Sequence, residues 1–214
     1  ATKVGFDIQA QGVTRSLSAR WIATECEKSL QRLGIETIDL YYAHVDDRST
    51  PMEESLEAFD RLIKAGKVRF IGASNFPAWR LEQASWTSIT HGLSEYCCIQ
   101  QKHTYLRPKP GADFGLNVTV NEDLYDYCRN RKITLLAYTA LLSGAYTRSD
   151  REIPGEYLGP DTQARLRALK TIAQEKGATV NQIVLAWMLH SDPFVLPLIA
   201  ASNEDHLAEN LQAL

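Results

Sequence analysis

Six short apolar runs constrain this chain more than any other feature: residues 2–6 (TKVGF), 37–43 (TIDLYYA), 68–72 (VRFIG), 96–100 (YCCIQ), 133–138 (ITLLAY) and 195–199 (VLPLI). Each has the length of a strand and is close to continuously apolar, without strict alternation. Strands of that kind are covered on both faces, as in a parallel sheet flanked by helices. Segments of helical period lie between them, near 18–33, 51–65, 77–90, 121–131, 161–176, 179–190 and 203–213. Strand then helix, repeated, is satisfied by right-handed parallel crossovers.

Local signals bracket several helices. Ser18 is a cap candidate for a segment that ends at Gly34, and Thr50 precedes Pro51 with Glu53 and Glu54 in the next turn and Gly66 as terminator. Pro160 and Asp161 open a helix closed by Gly177, and Thr179 opens the next. Trp79 and Trp86 read as helix-face core residues without a site role. The connections 102–120 and 141–160 are rich in Gly, Pro and charge, and loops of that length are often functional. No composition break divides the chain, so residues 1–214 read as one domain.

Charge narrows the function classes. The net charge is -3, from 23 Lys+Arg against 26 Asp+Glu, and the cations are scattered. Nucleic acid or an anionic membrane would call for a basic cluster. The longest apolar stretches, QIVLAWMLH and FVLPLIAA, fall far short of a bilayer span. Cys26, Cys97, Cys98 and Cys128 show no C-x-x-C spacing with partner histidines and read as buried, reduced thiols. The start shows no signal peptide, so a cytoplasmic location is expected. The opening ATKVGF reads as the middle of a strand.

Parallel βα repeats close into a barrel or form an open doubly wound sheet. The open form favours a G-x-G-x-x-G loop, which the chain does not contain. Instead polar residues finish strand after strand: Lys3, His44, Ser74 with Asn75, Gln100 and Gln101, and Tyr138. Barrel active sites gather at that face, so the barrel is the expected fold.

His44 ends the run IDLYYAH, with Asp46 and Asp47 following in the loop. A lone imidazole there serves structure or catalysis equally well. A hydrolytic metal site would want histidine pairs on neighbouring strands, and no metal site is expected. Single-imidazole roles remain, such as orienting a substrate oxygen or assisting proton transfer. Lys3 lies within an apolar strand, where an ammonium is costly unless it is paired, acts through its charge, forms a Schiff base or snorkels to solvent. Ser74 and Asn75 could cap the helix near Pro77 or bind a ligand amide. Gln100 and Gln101 are expected to face opposite ways. Tyr138 offers a ring face to a flat heteroaromatic group.

Five stretches, ATKVG, SLQRLGIETIDLYYAHVDD, AGKVRFIGASNF, ITLLAYTALLSG and LIAASNEDHLAENLQAL, together resemble the aldo-keto reductase family. They occur in the family's order and cover most of the chain. IDLYYAHVDD and GASNF look closer to its bacterial, potassium-channel-β-like branch. The resemblance implies a (β/α)8 TIM barrel, with about six of the eight βα units present here and the domain incomplete at both termini. It implies an oxidoreductase that reduces small aldehydes or ketones to alcohols with NADPH, less often NADH, and needs no Rossmann motif.

The family's catalytic tetrad is Asp, Tyr, Lys and His. Lys3 matches the lysine and His44 the histidine, while the aspartate and tyrosine belong to units preceding the ATK strand. By the same resemblance Ser74 and Asn75 hold the nicotinamide carboxamide, with Gln100 or Gln101, and Tyr138 stacks on the ring. Leu141, Ser143 and Gly144 match the loop crossing the pyrophosphate. Ser202, Asn203, His206, Glu209 and Asn210 match the adenosine end. There AASNEDH carries two acids and no fixed cation, which leaves NADH open beside NADPH. The competing expectations are a cofactor-binding regulatory or sensor protein on the same scaffold, and an unrelated barrel hydrolase or lyase using Lys3 as a Schiff-base amine. Oligomeric state is left open.

Overall fold

The computed structural model describes residues 1–9 and 12–214, which fall into two compact units, Ala1–Gln100 and Gln101–Leu214. The first contains β1 (Thr2–Val4), β2 (Phe6–Gln9), β3 (Gly12–Arg15), α1 (Ala19–Leu33), β4 (Ile38–Ala43), α2 (Met52–Lys64), β5 (Val68–Ser74) and α3 (Ala78–His91). Strand β6 (Tyr96–Lys102) runs across the division. The order is β1-β4-β5-β6, all parallel, with Lys3 opposite Tyr42, Tyr42 opposite Gly72 and Ser74 opposite Gln100. The carboxyl halves of β4, β5 and β6 are buried, while Asp39, Arg69, Phe70 and Cys97 are exposed. Tyr41, Phe59, Tyr96 and Phe76 form an edge-to-face chain at 5.6, 6.2 and 5.8 Å between successive ring centroids. Such pairs contribute about 0.5–1.5 kcal/mol each beyond the area they bury.

The expected strand 2–6 stops early. Gly5 adopts φ +133, and a Cβ there would lie 3.1 Å from Val45 Cγ1. The chain leaves the sheet at that glycine and enters an antiparallel hairpin of β2 and β3. That hairpin was not anticipated. Its signal was the alternation of Phe6 and Ile8, then Gly12 before Val13.

Neither expected cap makes a side-chain capping bond, and only Ser18 holds its position. Ser18 occupies the N-cap of α1, but its hydroxyl pairs with Ser16 Oγ at 3.0 Å, and the Ala19 N–H donates to Glu54 Oε1 at 2.9 Å. Pro51 holds the N-cap of α2, while Thr50 donates to Asp47 Oδ2 at 2.6 Å. Trp79 and Trp86 are not core residues: they are 59% and 57% exposed. The buried face of α3 consists of Arg80, Leu81, Ala84 and Ser88. Trp79 instead lies against the guanidinium groups of Arg48 and Arg80, at 5.3 and 5.6 Å.

Asp47 organises the loop after β4. Its carboxylate accepts from the Leu17 N–H at 2.8 Å, the Ser49 N–H at 2.9 Å and hydroxyl at 2.5 Å, and the Thr50 hydroxyl. Burial alone would raise its pKa, but these donors outweigh burial and hold it at about 2. A carboxyl with a depressed folded pKa stabilises the fold above its unfolded value, near 4, and that stability is lost as pH falls toward 2. Asp47→Ala is expected to cost roughly 2–3 kcal/mol in urea unfolding at pH 7, because it strands several donors. The difference from wild type should shrink between about pH 4 and pH 2.

The second unit contains α4 (Glu122–Arg131), β7 (Thr134–Tyr138), α5 (Thr162–Lys176), α6 (Val180–Leu189), β8 (Val195–Pro197) and α7 (Glu204–Leu211). Strands β7 and β8 are parallel, with Leu135 opposite Val195 and Ala137 opposite Pro197. Thr179 caps α6 as expected, in a capping box with Gln182. The loop 141–160 contains two 3-10 turns, Leu142–Gly144 and Gly155–Tyr157. No helix among the described residues is long and apolar enough to cross a membrane.

Candidate active site

In the first unit the polar strand ends come side by side. Lys3 lies on β1, His44 immediately follows β4, and Ser74 and Gln100 are opposed on β5 and β6. The His44 backbone N–H donates to Val4 O at 2.7 Å, which holds the residue beside the end of β1. Its ring meets Phe6 edge-on at 4.9 Å. Burial lowers the His44 pKa to about 4, and the Lys3 charge adds to the effect. The imidazole is therefore neutral near pH 7, with one nitrogen to donate and one to accept. Burial also lowers the Lys3 pKa. Its ammonium lies 5.5 Å from the Tyr42 ring centroid.

Asn75 follows β5 with φ 60, and its side-chain amide donates to His44 O at 3.0 Å and Ser74 Oγ at 3.2 Å. Neither Ser74 nor Asn75 caps α3, whose N-cap is Pro77. Strand β6 continues past the glutamines to Lys102, and both Gln100 and Gln101 are buried, at 5% and 0% exposure. Tyr42 was not singled out in the sequence, where it reads as one more core aromatic. It carries Lys3 on its ring and accepts from Cys98 Sγ at 3.5 Å on its hydroxyl. The room for that ring comes from Gly72, where a Cβ would lie 2.7 Å from Tyr42 Cε1.

The two aspartates after His44 are structural. Asp46 receives Arg80 Nε at 2.8 Å and Nη2 at 2.7 Å on Oδ1, and Arg48 Nε at 3.0 Å on Oδ2. Asp47 holds the loop as described. Among the described residues no three His, Cys, Asp or Glu converge as a metal ion would need.

In the second unit Tyr138 ends β7, half-buried, and its hydroxyl donates to Asn117 Oδ1 at 2.9 Å. Asn117 lines a cavity of about 500 Å³ together with Lys102, Thr139, Ser143, Arg151 and Tyr157. Leu141 precedes the first 3-10 turn, in which Leu142, Ser143 and Gly144 take φ of 48, 55 and 90. A Cβ on Gly144 would meet Arg148 Cδ at 2.7 Å. At α7 the Asn203 side chain accepts from the His206 N–H at 2.8 Å, and Ser202 Oγ lies 3.0 Å from His206 Nδ1. Glu209 accepts from Thr179 Oγ1 at 2.7 Å, and Asn210 is buried.

Parallel strands that end in a half-buried lysine, a neutral imidazole and a set of buried amides define an α/β enzyme class whose chemistry sits at the carboxyl ends of its strands. The chain belongs to the aldo/keto reductase family, whose model matches residues 1–214. It is 28% identical over 232 residues to L-glyceraldehyde 3-phosphate reductase of Escherichia coli (strain K12), covering 100% of this chain and 64% of that protein. It is 31% identical over 194 residues to norsolorinic acid reductase stcV of Emericella nidulans, covering 88% of this chain and 47% of that protein. The crystal structure of a thermostable aldo-keto reductase in complex with the inhibitor epalrestat superposes with TM-score 0.71 at 30% identity, covering 92% of this chain and 61% of that one. The parallel strands and their helices thus match the family's (β/α)8 barrel fold. The chain spans less than two thirds of the length of these relatives.

Proposed function

We propose that the chain supplies cofactor- and substrate-holding residues to an NADP(H)-dependent oxidoreductase that reduces an aldehyde or ketone to an alcohol. Family membership implies carbonyl reduction as a class. The observation that carries the finer reading is the placement of Lys3 and His44 at the ends of the adjacent parallel strands β1 and β4. The chemistry of the surrounding groups fits a nicotinamide cofactor, because Ser74, Asn75 and Gln100 put buried amide and hydroxyl groups beside that pair. When bound, the cofactor supplies a hydride to the carbonyl carbon.

The residues then divide the work. Neutral His44 hydrogen-bonds the substrate oxygen and orients it. The Lys3 cation stabilises negative charge that develops nearby and favours proton donation by a neighbouring acid. Ser74 and Asn75 hold the carboxamide, with Gln100 or Gln101. Tyr138 stacks on the ring, Leu141, Ser143 and Gly144 lie along the phosphates, and Ser202, Asn203, His206, Glu209 and Asn210 hold the adenosine end. NADPH is the assigned cofactor, with NADH as the alternative, since the first turn of α7 carries Glu204 and Asp205. The substrate is a small carbonyl compound, met in the cytoplasm.

Tyr138→Ala is expected to weaken NADPH binding about ten-fold, through loss of a stacking contact of about 1 kcal/mol or more. Protein-fluorescence quenching measures it. Tyr138→Phe removes only the hydroxyl bond to Asn117 and should keep most of the affinity. Equal affinity for Tyr138→Ala and wild type would reject the stacking role.

A further inference from the structure

Consecutive residues of a strand leave opposite faces. Tyr41 sends its hydroxyl to Ile22 O on α1 at 3.2 Å, so Tyr42 turns to the other face of β4. Lys3 lies opposite it on β1 and Gly72 opposite it on β5. The Lys3 ammonium stands over the Tyr42 ring, 5.5 Å from the centroid, within reach of a cation–π attraction. Tyr42 is 2% exposed and Lys3 is half-buried, so little water screens the pair.

The ring is held from two sides. Cys98 Sγ donates to the Tyr42 hydroxyl at 3.5 Å. A Cβ at Gly72 would lie 2.7 Å from Tyr42 Cε1 and 2.8 Å from Cδ1, so a larger residue there would drive the ring from its place. Burial pushes the Tyr42 pKa up, so the phenol keeps its proton and the ring stays neutral. Burial draws the Lys3 pKa down, because the ammonium gives up water. The Lys3 charge is felt at His44, two residues past Tyr42, which is neutral near pH 7. The π face of Tyr42 offsets part of what the ammonium loses.

We propose that Tyr42 is a positioning residue for the carbonyl reduction assigned above: its ring seats the Lys3 ammonium at the strand ends and keeps it charged. This rests on the reading of Lys3 as the cation that stabilises developing charge and favours proton donation. Tyr42 acts through Lys3. The lysine stem is flexible, and a cation that swings aside stabilises charge in the wrong place. A core residue of equal volume without an electron-rich face would fill the same space and leave the ammonium unheld.

The test separates the face of the ring from its volume. Phenylalanine, then its mono-, di- and trifluorinated forms, replace Tyr42 in the full-length protein. Fluorine withdraws electron density from the ring face and scarcely changes its size, so all four variants should fold alike. The Lys3 pKa is read by carbon NMR after reductive methylation of the lysines with isotopically labelled formaldehyde, its signal assigned by Lys3→Arg. The pKa should stay close to wild type in Tyr42→Phe and fall stepwise with fluorine, by about 0.5–1 in total. Over the same series kcat with NADPH and benzaldehyde should fall about three- to ten-fold, with little change in KM for the aldehyde. Tyr42→Leu should match the trifluorinated variant in both readings. The proposal is overturned if the Lys3 pKa is the same across the series, if it drops as far with phenylalanine as with its trifluorinated form, or if kcat does not follow it. The titration needs no substrate. A wild type that forms no alcohol therefore sinks the reductase reading, and with it the part of Tyr42 in turnover, while the fluorine series still decides whether the ring seats Lys3.

Discussion

His44→Ala is expected to lower NADPH-dependent aldehyde reduction by about 100- to 10,000-fold, the range for a positioned group in proton transfer. Little of the fold rests on this imidazole. It is half-buried, touches Phe6 edge-on, and is held mainly through its own backbone N–H to Val4 O. Circular dichroism and urea midpoints should therefore stay close to wild type while turnover collapses. The pH dependence has a defined sign. An unfolded histidine titrates near 6.5 and the folded one near 4, so the unfolded chain takes up a proton first as pH falls. Wild-type stability should thus decline from about pH 6.5 toward pH 4, and that part of the decline should be absent in His44→Ala. Intact turnover in the variant, with cofactor still bound, would remove His44 from the reaction.

Arg80→Met, on α3, is expected to cost roughly 3 kcal/mol or more, by removing the partner of Asp46 in the loop that follows His44. Arg80 and Asp46 are both buried, at 8% exposure each, and Arg80 contributes two close N–H donors to one carboxylate oxygen. Removing the cation leaves Asp46 with Arg48, whose side chain is 64% exposed and adds little in water. Arg48→Met should then cost no more than about 1 kcal/mol. Chemical denaturation of the two variants separates these values. Equal losses would mean that burial of the Arg80 pair does not govern the loop.

The strand pattern was legible in the sequence because a strand covered on both faces cannot hide its apolar run. Residues 37–43, 96–100 and 133–138 were placed to within about two residues, the usual margin at element ends. The polar strand ends were visible for the same reason, since Lys3, His44, Ser74 and Gln100 each interrupt or finish an apolar run. What stayed hidden depends on partners that local patterns do not reveal. Ser18 and Thr50 have the chemistry of caps, but Glu54 and Asp47 redirect the donors around them. Gly5 gives no warning of its turn, because the reason is Val45 on the next strand connection. Trp79 and Trp86 share a helix with a buried arginine, and hydrophobicity alone cannot reveal that Arg80 takes the inward place to meet Asp46. Cys97 is exposed where a buried thiol was expected, beside a slip in register with β5 that nothing in YCCIQ encodes locally.

The central claim is that this chain belongs to an enzyme that reduces carbonyl groups with NADPH. It is tested most directly by incubating the full-length protein with NADPH and benzaldehyde and measuring cofactor loss and benzyl alcohol together. The account predicts equimolar consumption and formation, strongly reduced in His44→Ala. NADPH that binds saturably while no alcohol forms would contradict it.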